Sequence, residues 1–198
     1  MKSTELHLPR LTTCLGLLVL VATAPLSSAG TVWDASGGAS NNIDNATNWD
    51  DNFNPAFDGT AVVTFGTAGS NATINTDVNF LGINFNRAAA FDLLNGAGSL
   101  TVGASGITAS PSGTGQRIYT ISESSLILGA SQTWAITNNA STTILSVSSV
   151  VSDGTNTFGL TKTGNGRVYL GGANTYDGAT LVNAGTLRIS NNTALGST

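Results

Sequence analysis

The sequence predicts an all-β chain: a right-handed parallel β-helix, or solenoid, with a loop-rich N-terminal cap. Three observations predict it. Short β-favouring runs bounded by Gly, Asn, Ser and Asp follow one another from about Ala61 onward. Segments recur with a period of roughly 19 to 26 residues, the spacing of stacked coils. Charge is scarce: 9% of the 198 residues are charged and 40% are apolar, with 24 Gly and 4 Pro, whereas an ordinary domain carries about 25% charge. The same arithmetic excludes other classes. A coiled coil or helical bundle lacks the Glu, Lys and Arg for its solvated faces. Disorder is at odds with so many β-branched residues and so little charge. A nucleic-acid partner is excluded, because 7 Lys plus Arg face 11 Asp plus Glu and leave no cationic footprint.

Residues 1–29 read as a secretory signal peptide. Lys2 and Arg10 supply the positive leader, and Leu15 to Ala22 supply an apolar run. Ser27 and Ala29 are the small residues before a cut between Ala29 and Gly30. The run is short of the roughly 20 residues needed to span a bilayer. Cleavage would remove His7, Cys14 and Met1, each the sole residue of its type. From Gly30 on, 5 basic and 10 acidic residues give a net charge of −5, and Glu123 is the only Glu. Without His there is no imidazole base and no Ser-His-Asp triad. Without Cys there is no thiol nucleophile, thiolate-bound zinc or disulfide. Export without disulfides leaves packing and backbone pairing to hold the fold.

Residues 30–59 form the expected cap. Trp33, Trp49, Phe53 and Phe57 stand among Asn and Asp residues whose side chains favour turns, with a short strand near Thr31-Val32-Trp33. The aromatic residues plug the end of a core on one reading and stack on sugars on the other. The solenoid occupies residues 60–198. Its strands are expected at Ala61–Phe65, Ala72–Ile74, Leu81–Phe85, Leu100–Val102, Arg117–Ile121, Leu126–Leu128, Thr143–Val147, Val168–Leu170, Thr180–Val182 and Thr186–Ile189.

Internal repeats favour the solenoid over a β-sandwich. Ser99-Leu100-Thr101-Val102-Gly103-Ala104-Ser105 recurs as Ser125-Leu126-Ile127-Leu128-Gly129-Ala130-Ser131, differing only at the two positions after the leucine. Ala97–Val102 recurs as Ala184–Ile189, and Gly166-Arg167-Val168 is echoed by Gly185-Thr186-Leu187. One coil cannot bury its own apolar face, but stacked coils bury a column of Leu, Ile and Val. Each such side chain is worth roughly 1.5–3 kcal/mol when fully buried. Like charges stacked at the strand spacing of about 4.8 Å would repel, which accounts for the low charge.

The segment Gly159-Leu160-Thr161-Lys162-Thr163-Gly164-Asn165-Gly166-Arg167-Val168-Tyr169-Leu170 is followed by Gly171-Gly172-Ala173-Asn174-Thr175-Tyr176-Asp177-Gly178-Ala179-Thr180 and Leu181-Val182-Asn183-Ala184-Gly185-Thr186-Leu187-Arg188-Ile189. Over residues 159–189 it resembles the autotransporter-associated β-strand repeat, also called the passenger-associated transport repeat. The matching positions are Leu160, Thr161, Lys162, Gly164, Gly166, Gly171, Asn174, Thr175, Tyr176, Gly178, Asn183, Gly185 and Leu187. The resemblance implies a secreted or cell-surface β-helical stalk, associated with the outer membrane in that family. Its residues read as structural. The glycines suit turns, Asn174 and Asn183 suit Asx turns or an amide ladder, and Tyr176 covers a corner. Leu160, Val168, Leu170, Leu181 and Leu187 are expected inside, and Lys162 and Arg167 are expected in solvent. The last residues, Leu195 to Thr198, fall where the family starts another coil, so continuation into further repeats and end-to-end self-stacking are both open.

The leading functional expectation is a non-catalytic stalk or passenger with a structural, adhesive or autotransport-associated role and a cell-surface or polysaccharide partner. No catalytic, cofactor or metal residues are expected. The alternative is a polysaccharide-binding or polysaccharide-degrading β-helix. Degradation would rest on Asp50, Asp51 and Asp58, or on Asp153 and Asp177 with Lys162, since paired carboxylates suit acid-base work on glycosides and oxygen ligands suit calcium. Binding would rest on Trp33, Trp49 or Trp134 exposed on a shared face.

Overall fold

Alternating short strands each have one apolar face to bury, and parallel stacking buries it against the equivalent face of the next coil. A computed structural model describes residues 32–36, 40–66, 69–111, 113, 115–137 and 142–197. The expected leader over 1–29 and its cut between Ala29 and Gly30 lie outside the described residues. The strands are Val32–Trp33 (β1), Val62–Phe65 (β2), Ala72–Ile74 (β3), Val78–Phe85 (β4), Phe91–Asn95 (β5), Leu100–Ala109 (β6), Arg117–Ile121 (β7) and Ser125–Leu128 (β8). They continue as Gln132–Ile136 (β9), Thr143–Val147 (β10), Val150–Ser152 (β11), Leu160–Thr163 (β12), Arg167–Leu170 (β13), Thr180–Val182 (β14) and Thr186–Ile189 (β15). One 3-10 turn, Ala46–Asn48, is the only helical element among the described residues. The chain is an all-β solenoid of about five turns.

Paired strands run parallel throughout. One sheet stacks β3, β5, β7, β10, β13 and β15 in chain order. The other runs β1-β2-β4-β6-β9-β12-β14, with β8 and β11 branching from β6. The branch arises because β4 and β6 are long strands that turn a corner without breaking. Their register shifts between Phe80 and Gly82. Gly106 takes φ +63° at the bend, where a β-carbon would press into the Thr133 carbonyl. In later coils the same two faces are separate strands: β8 pairs with β6 at Leu100–Val102, and β9 pairs at Ile107–Ala109. The cross-section therefore has three faces.

Register explains the repeats. Leu100, Thr101 and Val102 sit beside Leu126, Ile127 and Leu128, so the repeat that begins at Ser99 and again at Ser125 marks stacked neighbours. The echo of Gly166-Arg167-Val168 does too, with Arg167 beside Thr186 and Val168 beside Leu187. The match of Ala97–Val102 to Ala184–Ile189 does not, because β6 and β15 lie in different sheets. Coils vary in length: the stretch between partners is shorter at Ala72↔Leu93 than at Leu93↔Ile121, and from there it contracts stepwise through Ile121↔Val147 and Val147↔Leu170 to Leu170↔Ile189. Corners absorb the difference while the faces stay in register.

The core is aromatic upstream and aliphatic downstream. Trp33 and Trp49 meet edge to face at 5.2 Å, Phe65 lies 4.8 Å from Phe91, and Phe85 stacks on Tyr119 at 4.9 Å. Further along, Leu93, Ile121, Val147 and Leu170 form one buried column, and Leu100, Leu126 and Val151 form a second. Leu160, Val168 and Leu170 point inward as expected. Leu181 does not. It is in register with the outward Thr161 and is 54% exposed, because alternation on β14 gives its neighbour Val182 the register of the inward Lys162, although Val182 itself is 48% exposed on the last described coil. Leu187 sits over Val168 and is half-buried.

Candidate functional site

The conspicuous site is a corner between β12, β13 and the following coil, and a lysine builds it. Lys162 occupies an inward position, in register with Trp134 on one side and Val182 on the other. It is 1% exposed, so the expectation of a solvated side chain is overturned. Its Nζ donates to the carbonyls of Thr163 (2.6 Å), Gly164 (2.8 Å) and Ala184 (3.1 Å). Three acceptors match the three N–H bonds of an ammonium group. Burial draws the lysine pKa down from its ordinary value, and the three carbonyl dipoles compensate the charge. Two of them belong to the lysine's own turn and the third to the next coil, so one side chain closes a corner and joins two coils. Arg167, by contrast, is exposed as expected.

The motif glycines fit around this cation. Gly185 takes φ +75°, and a β-carbon there would overlap the Gly164 and Gly166 carbonyl oxygens and crowd the Lys162 Nζ. The Gly166 amide donates to the Ile136 carbonyl of the preceding coil at 2.8 Å. Gly178 packs against the Phe158–Gly159 backbone, where no side chain fits.

A second corner is held by Asn174, which is buried. Its Oδ1 accepts from the Val151 amide at 2.8 Å, and its Nδ2 donates to the Ala194 carbonyl at 2.6 Å. One amide thus bridges the coils on both sides. Tyr176 is buried, with its hydroxyl 2.6 Å from the Thr180 Oγ1. Burial raises its pKa. The Thr175 amide donates to the Val151 carbonyl. Asn183 is exposed and contributes its backbone, its amide donating to the Lys162 carbonyl at 2.9 Å. Thr161 faces outward, and Gly171 lies just past the end of β13.

The carboxylates proposed for glycoside chemistry are engaged in local hydrogen bonds. Asp50, Asp51 and Asp58 are exposed, and each accepts a backbone amide: from Val32, Phe53 and Thr60 respectively. The Thr60 hydroxyl and amide also hold the Asp58 pKa below its ordinary value. Asp153 is buried, and its Oδ2 accepts from the Phe158 and Asp177 amides. Asp177 is exposed and accepts from the Ser197 hydroxyl. Lys162 has its donors filled by the three carbonyls of its own corner. Among the described residues no group of three or more His, Cys, Asp or Glu is placed to hold a metal ion.

The indoles are not sugar platforms. Trp33, Trp49 and Trp134 are all fully buried. Their Nε1 atoms donate to the Ser70 carbonyl, the Ile43 carbonyl and the Gln132 Oε1, each at 3.0 Å. For Trp33 and Trp49 the structure matches the reading in which the aromatic residues plug the end of a core: β1 lies beside β2, which seats Trp33 against Phe65. Sequence reasoning named Glu123 but not its burial: it is 2% exposed at the corner after β7. Neither carboxyl oxygen meets hydrogen-bond geometry. Burial pushes its pKa up to about 8, partly offset by the nearby Gly96 amide. Its standing as the only Glu after residue 29 was the available signal.

Residues 160–189 match the passenger-associated-transport-repeat family model. The chain therefore carries this repeat, and the two corners above are its structure here. The chain is also 40% identical over 111 residues to the protein named Adhesin BmaC autotransporter of Brucella suis biovar 1 (strain 1330). That stretch covers 54% of this chain and 3% of that protein's length. No solved structure shows significant similarity to the chain.

Proposed function

We propose that this chain is a non-catalytic β-helical passenger segment, exported through the leader at residues 1–29 and displayed at the cell surface as a stalk with an adhesin-like role. The carrying observation is that the repeat's polar residues are consumed in building the coil stack. Lys162 and Asn174 spend their hydrogen bonds joining coils, which leaves no reactive constellation among the described residues. The repeat match and the adhesin relative support the same reading. Residues 30–59 serve as the cap and 60–198 as the solenoid. The partner is a cell surface or polysaccharide. Val182, Leu187 and Ile189 hold inward register on the last described coil, and the reading assigns that edge to a further coil or a second copy.

The test is expression of the epitope-tagged chain, leader included, in a Gram-negative host, followed by fractionation and protease shaving of intact cells. Export with loss of the leader at Gly30 is the expected outcome. Retention in the cytoplasm with an intact leader refutes the reading, as does hydrolase or lyase activity of the purified protein on a polysaccharide panel.

A further inference from the structure

The outer face of the sheet that contains β10, β13 and β15 carries a notch that the stalk architecture does not use. Register aligns Ser146, Tyr169 and Arg188 side by side on the three strands. Two positions further along come Ser148, Gly171 and Ser190, whose amides each bond to the preceding coil. With Val147, these residues enclose about 230 Å³, room for one small ring. Tyr169 is half-buried, and the Arg188 guanidinium lies over its ring, 5.1 Å from the centre. That contact fixes the cation at the notch rim. Among the described residues Arg188 is thus held by a ring and not by a carboxylate. On the β10 side the ring's neighbour is a serine, too short to cover it. Arg167, exposed two positions before Tyr169, adds a second cation to the same face. In a chain of net charge −4, a cation over an aromatic ring with three hydroxyls beside it forms a site complementary to an anion.

We propose that this notch is a subsite for an acidic sugar residue of a polysaccharide. The Tyr169 ring supplies the apolar surface for a pyranose C–H face, Arg188 pairs with the carboxylate, and the hydroxyls of Ser146, Ser148 and Ser190 meet the sugar hydroxyls. Guanidinium and carboxylate match in planar, bidentate geometry. Gly171 keeps the floor open: a β-carbon there meets nothing nearer than 3.5 Å, so a longer side chain would fit the fold and fill the notch. The proposal deepens the surface-stalk reading by naming a ligand class, and rests on it for its biological setting.

The experiment is saturation-transfer NMR and calorimetry on the full chain, with a hyaluronan hexasaccharide and a neutral dextran oligosaccharide of equal length. Weak binding of the acidic sugar, in the high micromolar to millimolar range, is expected, with none of the neutral one. Both R188Q and G171Q should weaken it about tenfold or more, with unchanged circular dichroism. R188Q alters an exposed side chain, so it remains a fair test if G171Q disturbs the fold. Absence of binding, equal binding of both sugars, or R188Q binding like the unaltered chain would overturn the proposal. None of these outcomes touches export and display, which the fractionation assay reads separately.

Discussion

Replacing Lys162 by Met keeps the side chain's length and apolar stem while deleting its three hydrogen bonds. The structure sets the size of the effect. The Thr163, Gly164 and Ala184 carbonyls each lose a charged donor, and a buried polar group left unpaired costs about 1–3 kcal/mol. Two things reduce the sum. The ammonium's own burial penalty disappears, and the Ala184 carbonyl belongs to an exposed residue that water can reach. A net loss of about 2–4 kcal/mol is expected. Urea unfolding should show a lowered midpoint at unchanged slope. Amide exchange gives a local reading: the Asn183 amide, bonded to the Lys162 carbonyl, should lose protection before the β10 amides do. Stability within about 0.5 kcal/mol of the unaltered chain would refute the reasoning. It would mean that the burial cost of the cation cancels its bonds, and that the corner is held by glycine geometry alone.

Gly185→Ala should destabilise far more than Gly154→Ala. Both residues have positive φ, but a β-carbon at Gly185 strikes two carbonyl oxygens whereas at Gly154 it meets nothing within 4 Å. The second change should cost only about 1–2 kcal/mol for the left-handed backbone, and paired thermal melts would show the difference. Glu123 should make stability pH-dependent. Its folded pKa of about 8 lies above the ordinary 4.5, so its contribution is full below about 4.5 and is lost as pH rises through 8. The loss should be on the order of 2–3 kcal/mol once local relaxation around the ionised carboxylate is allowed for, and Glu123→Gln should flatten the profile of urea midpoint against pH across that window. Trp134→Ala should cost about 3–5 kcal/mol. In the unaltered chain, indole emission should be blue-shifted, resist iodide quenching and stay unchanged when an oligosaccharide is added.

The legible part of the fold was its periodicity. Period-two runs such as Arg117–Ile121 and Thr143–Val147 announce strands because one face must be apolar, and both are strands here. The repeat shared by Ser99–Ser105 and Ser125–Ser131 is a stacking register written in sequence. Other strands hid. Gln132–Ile136 carries a buried Gln inward, accepted because its amide reaches the Val102 carbonyl and its carbonyl takes the Trp134 indole. Leu160–Thr163 carries a buried Lys for the reason developed above. Polar residues facing a core defeat any pattern built on hydrophobicity, since their partners come from other coils. Leu181 failed by one position because alternation cannot be phased from so short a strand as Thr180–Val182. At the site, the motif named the residues but not their tasks. The serine–tyrosine–arginine notch spans three strands and follows from register alone.

The strand pairings join each coil to the coils beside it. Such a molecule bears load in series. Tension along its axis falls on one interface at a time, and the weakest yields first while the rest stay closed. Lys162 and Asn174 then act as rivets, each spanning a seam between neighbouring coils. Other seams carry side-chain fasteners of their own, such as Asp77 to Ser99 and Gln132 to Val102, so removing Lys162 or Asn174 is expected to move the first opening of a pulled chain to the seam that lost its rivet.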